Sequence, residues 1–462
     1  MLETSQTEEL KLYEEHKKIY PRHITGRFRN IKWGVTAFLM AFFFITPWIR
    51  WHGRQAILFD IPERKFHLFS VTFWPQEVIY LVVLLVIAAI LLFLITALLG
   101  RVLCGYVCWQ TVWTDIFLWV EKAIEGAPHK RIAMDKGPLT AGKMAKKGIK
   151  HVIWLAISIA TGITFTSFFA EAGPLWMSFL TGQPSTAAFM TLLIVGGTTY
   201  IFSGWAREQV CIYMCPYARF QGAMFDQDTL IVAYDEKRGE TRGARREATA
   251  GTKGDCIDCG LCVQVCPMGI DIRDGQQYQC ITCALCVDAC NGVMKKMNRP
   301  ANLIGYTSST ALDGGNTRML RPRIIVYGVI IFVLTTGMLW HMAGRKHIDL
   351  KVIKERQPLF VTMSDGSIQN KFTVKVANMT AEDQTYTLRI EGLPKASLVL
   401  QEEKLRVRAG QVTPYIVFVK LGGDDLQGAS QKFSFVLEDV NSPEQRINYE
   451  SVFFGPEKGA TP

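Results

Sequence analysis

Cysteine is the residue type that could carry chemistry in this chain, and twelve are present. Eight form two runs, Cys256, Cys259, Cys262 and Cys266 followed by Pro267, then Cys280, Cys283, Cys286 and Cys290. Three thiolates at three-residue steps can wrap three corners of an iron–sulfur cube, and the fourth then reaches the neighbouring cube. One [4Fe–4S] cluster is thus expected on Cys256, Cys259, Cys262 and Cys290, and a second on Cys280, Cys283, Cys286 and Cys266. Structural zinc would use two CxxC pairs and leave a third Cys at the same step without a role. A disulfide framework fits worse, because the spacing is too regular and too crowded for loop staples. Asn291 stands where the second run would carry a Pro; this costs the turn stiffness but no ligand.

The other four cysteines form two matched pairs, Cys104/Cys108 and Cys211/Cys215, each following a basic residue, Arg101 or Arg207. At i,i+4, a continuing helix would put both sulfurs of a pair on one face. Free buried Cys acting as a small hydrophobe is the plain reading of one such pair. Two pairs at matching depths point instead to a four-sulfur site that holds copper, holds a further small cluster, or cycles between dithiol and disulfide. Arg101 and Arg207 are expected to lower the thiol pKa values there. Pro216 is expected to end or kink its helix.

Positioning these sulfurs requires a membrane. Hydrophobic residues make up 49% of the 462, and the mean hydropathy is positive. Apolar spans are read at Ile31–Ile49, Val78–Leu99, Val152–Phe169, Ala187–Ser203 and Ile324–Ala343, and 22 residues without a charge in the second are enough to cross the hydrocarbon core. Gly162, Gly196 and Gly197 are of the kind that lets helices approach closely. Matching pairs at the ends of spans two and four make spans 1–2 and 3–4 look like two copies of one hairpin. The net charge of +10 could suit nucleic acid, but basic cytoplasmic loops explain it better, so no nucleic-acid partner is expected. Segment 101–150 holds nine Lys or Arg and 205–323 holds fifteen, against none in 170–186 and four in 50–77. Segment 1–30 is charged and polar, without a visible secretory signal. The positive-inside rule then puts the N-terminus and the cluster cysteines in the cytoplasm of a bacterial inner membrane, and everything after the fifth span outside. Cysteine usage agrees, since none follows Cys290.

The expected fold class is a multi-domain membrane protein: a five-span helical bundle, an inserted 2[4Fe–4S] ferredoxin-like α+β domain and a C-terminal immunoglobulin-like β-sandwich. Its parts are a cytoplasmic segment 1–30, a four-span domain 31–220, the ferredoxin domain 221–323, the fifth helix 324–344 and the sandwich 345–462. Strand patterns occur at Lys371–Val376, Gln384–Glu391, Ser397–Leu400, Leu405–Val407, Thr413–Leu421, Gln431–Glu438 and Ile447–Phe454, with turn signals between them such as Asn378 and Asn441–Pro443.

Weaker signals point elsewhere. Haem between helices would want His pairs inside the spans, and only His151 and His341 lie near one, at ends on opposite sides; C-x-x-C-H is absent. Met338, His341 and Met342 are soft enough for Cu(I), but packing explains them better. The charged stretch Asp235–Gly254 could face a donor protein, although a solvated linker is the simpler reading.

Paired CxxxC helix ends, a polyferredoxin between spans four and five, and an outer immunoglobulin-like domain resemble the FixG/RdxA/CcoG cytochrome oxidase accessory proteins over nearly the whole chain. The resemblance implies a role in assembling the cbb3-type cytochrome c oxidase, in particular reduction of Cu(II) to Cu(I). It implies partners among the oxidase assembly factors and copper chaperones, with a cytoplasmic electron donor; a homodimer stays open. Two other readings are kept. One is a quinol-linked protein like the nitrate and nitrous oxide reductase maturation ferredoxins, and the other is a non-enzymatic assembly scaffold.

Overall fold

A computed structural model describes residues 18–51, 53–69, 71–243, 254–344, 348–380, 382–400, 402–440 and 446–456. The Asn441–Pro443 turn and most of the 244–254 end of the charged stretch lie outside them. Two compact units result, Met1–Met338 and Leu339–Pro462.

Five helices in the described residues are long and apolar enough to cross a membrane: Arg27–Trp48, Val78–Leu99, Ala141–Thr166, Thr186–Ala206 and Pro322–Ala343. The second has the bounds read from the sequence. It stops at Gly100, whose φ of +59° suits a residue without a Cβ. The third starts eleven residues before the expected Val152, because good helix formers continue the helix into the charged segment. Thr140 caps that start by accepting a hydrogen bond from the Lys143 amide. Spans three and four touch backbone to side chain: a Cβ at Gly162 would sit 2.6 Å from Leu192, and one at Gly196 3.0 Å from the Ser158 carbonyl. Gly197 faces open space and plays no part in this approach.

Segment 101–150, read as a basic loop, carries Trp109–Glu125 and Pro128–Lys136 as further helices, besides the short Val102–Tyr106. The first buries Trp113, Phe117 and Val120 against Phe43 of span one and Trp154 of span three. Its opposite charges are buried too. Asp115 bonds Arg29 and Lys32 at 3.0 and 3.1 Å. Glu121 meets Arg207, Arg131, Lys150 and Lys18 at 2.9, 3.2, 3.6 and 3.7 Å. Burial pushes the Glu121 carboxyl up, but the Arg207 charge and the three lysine and arginine charges beside it outweigh this and hold it below its usual range.

The ferredoxin portion is built on one antiparallel strand pair, Ile231–Tyr234 with Ile304–Thr307, and on the helix Leu285–Lys296. That helix is joined to span one. Asp288 accepts the Phe28 and Arg29 amides at 3.2 and 2.8 Å, capping the first turn of the membrane helix.

In the C-terminal unit all seven expected strands are present. One sheet runs in the order Ser397–Leu400, Val412–Leu421, Ile368–Asn378, Ile348–Lys354, with Val361–Thr362 also paired to Ile368–Asn378. The other runs Leu405–Val407, Gln384–Glu391, Ser430–Asp439, Arg446–Phe454. The strands at 348–354 and 361–362 are additional to those read from the sequence. Alternating inward residues meet between the sheets, with Phe372, Phe433 and Phe435 ring centroids 4.9 to 5.6 Å apart.

Candidate iron–sulfur and membrane thiol sites

Each ferredoxin run curls through the same backbone device. Asp258 and Gly260 have φ of +55° and +63°, and at the same places in the second run Thr282 and Ala284 have +54° and +59°. These left-handed residues on either side of the second cysteine turn the chain around a centre, so that successive thiols face inward. A helix then follows: Leu261–Gln264 carries Cys262 and ends before Cys266, whereas Leu285–Lys296 carries both Cys286 and Cys290.

The last cysteine of each run stands with the other run. Burial pushes the Cys290 thiol up to about 12, and the neighbouring thiols acting on it are Cys262, Cys256 and Cys259. Burial also lifts Cys266 to about 12, and its neighbours are Cys283 and Cys280. Cys286 is raised well above its ordinary value by burial and by Cys283, Cys280, Cys266 and Cys262. Cys290 thus lies near thiols of the first run and Cys266 near thiols of the second. Backbone amides point at the sulfurs: Ile270 and Met268 at Cys266, Thr282 at Cys280, Ile304 at Cys290.

This donor set fits iron–sulfur cubes. Thiols raised by burial lose their protons when a cationic centre compensates the charge, and the amides then bond the sulfurs and tune such a centre. Among the described residues no three His, Cys, Asp or Glu stand at the spacing for one metal ion. A tetrahedral ion holds its thiolates about 3.8 Å apart, from a bond of about 2.3 Å, whereas a cube holds them wider. Asn291 lies inside the Leu285–Lys296 helix, not at a turn, so the expected loss of turn stiffness does not apply. Its amide instead bonds the Asn302 side chain at 3.2 Å and accepts the Asn302 amide at 2.7 Å.

The membrane pairs are arranged differently from the expectation of a continuing helix. The helix Val102–Tyr106 breaks before Cys108, which is the N-cap of Trp109–Glu125. Likewise a π-wound turn, Val210–Met214, breaks before Cys215, the N-cap of Pro216–Met224. Pro216 opens a helix there and does not end one. Sharing a helix face is thus not what unites each pair. Yet the four cysteines are neighbours: burial pushes Cys211 up to about 12, and Cys108, Cys104 and Cys215 add to the effect. Burial likewise raises Cys104, with Arg101 pulling the other way. The expected lowering is therefore overturned at Cys104 and Cys211, where desolvation outweighs the Arg101 charge. Arg207 is engaged elsewhere: it bonds the Gly204 carbonyl and Glu121, both at 2.9 Å, with a left-handed φ of +43°.

Residues without a motif complete this site. Buried Gln221 accepts the Arg101 Nε at 2.8 Å, and the Cys104 thiol donates to it at 3.4 Å. Gln110 donates to the Phe202 and Arg207 carbonyls at 2.9 and 3.1 Å, satisfying the broken end of span four. Only the adjacency of Arg101 to Cys104 was visible in the sequence. His151 stacks on Trp205 and bonds Tyr200 at 2.9 Å, a packing role without a second His.

Comparison with known proteins agrees with this picture. Three family descriptions match: a 4Fe–4S dicluster domain over residues 206–309, a 4Fe–4S binding domain over 81–126, and the IG-like fold at the C-terminal of FixG over 338–456. The nitrogen fixation protein FixG of Rhizobium meliloti is 41% identical over 96% of this chain and 93% of its own. Protein RdxA of Cereibacter sphaeroides is 40% identical over 94% of this chain and 96% of its own. The crystal structure of a FixG-related protein from Vibrio parahaemolyticus covers 24% of this chain and 97% of its own, at 29% identity and a TM-score of 0.22. This iron–sulfur electron-transfer protein, with its apolar helices and FixG-type C-terminal domain, belongs to the FixG/RdxA family.

Proposed function

We propose that the protein reduces Cu(II) to Cu(I) at the membrane face, in the assembly of a cbb3-type cytochrome c oxidase. The observation that carries this reading is the grouping of Cys104, Cys108, Cys211 and Cys215 beside the ferredoxin fold. Cys256, Cys259, Cys262 and Cys290 would hold one [4Fe–4S] cluster, and Cys280, Cys283, Cys286 and Cys266 the other. When bound, the clusters supply one-electron storage. The membrane thiols bind the substrate ion: soft sulfur donors favour Cu(I) over Cu(II), so ligation and reduction reinforce each other. One electron reduces one Cu(II), and a reduced cytoplasmic protein replaces that electron. Oxidase assembly factors and copper chaperones receive the product.

The reading includes an orientation, with the N-terminus and ferredoxin portion in the cytoplasm of a bacterial inner membrane and the sandwich in the periplasm. The charge asymmetry of the segments between spans supports it. A reporter fused after Phe454 should be active only outside the cytoplasm and one after Arg242 only inside; the reverse at either position would overturn it.

A Cys104/Cys211 double substitution tests the activity. The iron content and visible spectrum of the ferredoxin portion should persist, while Cu(II) reduction by the dithionite-reduced protein should fall tenfold or more. A wild-type rate would make these four cysteines packing residues. A second reading has its own support, since a 4Fe–4S binding domain matches over 81–126, around Cys104 and Cys108. On that reading the four thiols hold a further cluster and iron rises from about eight to about twelve per chain.

A further inference from the structure

The two thiol centres meet through a contact that no motif announces. Gly105, next to Cys104, lies backbone to backbone against the second ferredoxin run. A Cβ there would fall 2.6 Å from the Ile281 carbonyl oxygen and 3.0 and 3.1 Å from the Cys283 Cα and N. The same short helix staples that run on both sides. The Arg101 amide donates to the Thr282 hydroxyl at 3.1 Å, and the Tyr106 hydroxyl donates to the Cys283 carbonyl at 3.1 Å. The Arg101 guanidinium donates to the Tyr278 carbonyl and, at 2.8 Å, to Gln221. From across the ferredoxin, the Tyr306 hydroxyl holds the Thr282 carbonyl at 2.6 Å.

Packing places membrane thiols beside one ferredoxin run. Cys283, Cys266 and Cys286 share one apolar cluster with Cys104 and Cys211. A second cluster, around Val232 and Tyr234, holds Cys256, Cys262 and Cys290 together with Cys280 and Cys286, and it includes no membrane thiol. Cys259 is the exposed cysteine of the twelve, while Cys283, buried like Cys262, lies against the membrane-side helix.

We propose that the Cys280–Cys283 loop, clamped on Arg101, Gly105 and Tyr106, is the face through which electrons leave the ferredoxin for the membrane thiols, and that the Cys259 face is where they arrive. Electron transfer through packed protein falls steeply with distance, so the set in van der Waals contact with Cys104's helix is the one that can deliver. Arg101 stands at the contact. Its guanidinium donates to the Tyr278 carbonyl on the ferredoxin side and to Gln221, which also accepts from Cys104, so one positive charge favours an electron on either side of the contact. It is a positioning residue for the transfer. Per event, one electron leaves the Cys266/Cys280/Cys283/Cys286 centre, which is oxidised by one, and the acceptor on the membrane thiols is reduced by one. No proton needs to move. A one-electron carrier protein of the cytoplasm supplies the replacement at the Cys259 face.

The proposal rests on the reading of the four membrane thiols as the acceptor, and its test separates the two. Full-length protein, purified anaerobically in detergent, is titrated redox-wise and then reduced and mixed with Cu(II). Arg101→Gln should lower the midpoint potential of one cluster alone, the one whose signal Cys283→Ser abolishes, leaving the cluster abolished by Cys259→Ser unmoved. Gly105→Ala, and the milder Tyr106→Phe, should keep the iron content and slow reoxidation by Cu(II) tenfold or more. Reoxidation by a protein-sized soluble oxidant should keep its wild-type rate. A potential shift confined to the Cys259 cluster, or spread equally over both, would overturn the assignment. So would a wild-type rate with Cu(II) in both contact variants. If the Cys104/Cys211 double variant still reduced copper normally while Arg101→Gln shifted only the Cys283 cluster, the copper reading would fall and the exit face would stand.

Discussion

The eight ferredoxin cysteines and the four membrane cysteines solve the same problem by opposite means. In the ferredoxin, three thiols of each set come from seven consecutive residues, curled by left-handed backbone at 258 and 260 or at 282 and 284. In the proposed sets only the fourth, Cys290 or Cys266, comes from elsewhere, and it lies near thiols of the partner run. At the membrane, no stretch supplies more than two thiols, and the two stretches lie more than a hundred residues apart. Their meeting depends on span ends held by Gln110, Glu121 and Arg101. A site made locally tolerates distant change; a site made by packing inherits the stability of everything between its halves.

The largest effect is expected where the local device is broken. Cys266→Ser removes a ligand from the set of the other run, so the cluster on Cys280, Cys283 and Cys286 should fail. Iron should fall from about eight to about four per chain by ligand count, and spectra of the Cys256–Cys262 set should survive. Loss of the latter cluster instead would show that each run keeps its own fourth cysteine, and the comparison would lose its one non-local ligand.

Glu121→Ala sharpens the other half. It touches no thiol, but it leaves Arg207, Arg131 and Lys150 buried without their carboxylate. Removing one partner of a buried ion network costs about 3–5 kcal/mol. The membrane domain should therefore unfold at lower temperature in detergent, and copper reduction should drop, while iron in the ferredoxin stays at the wild-type level. Equal loss at both sites would mean that the ferredoxin depends on span packing as strongly as the membrane thiols do.

Several elements could be read without coordinates because their causes are local. The Val78–Leu99 span follows from charge-free length, and the seven sandwich strands follow from two-residue alternation. Expectations failed where a contact far along the chain decided the outcome. Segment 101–150 looked like a basic loop because its lysines and arginines dominate, but Glu121 and Glu125 pair with Arg131, Lys147 and Lys150 inside a folded layer. The CxxxC pairs looked helical because i,i+4 is a helical spacing, but both helices break before the second cysteine. Arg207 looked like a thiol partner because it precedes Cys211, but the buried Glu121 takes it.

The sequence by itself determined which residues are donors: thiols at fixed steps, and apolar stretches of spanning length, are properties of the chain's own order. Tertiary structure alone decided which donors face one another. The clamp of Gly105 on Ile281 and Cys283, and the charge of Arg101 shared between two thiol sets, join residues nearly two hundred positions apart. Close backbone contact there needs a residue without a Cβ, and one glycine among thirty-eight carries no mark of that need until its neighbour across the fold is known.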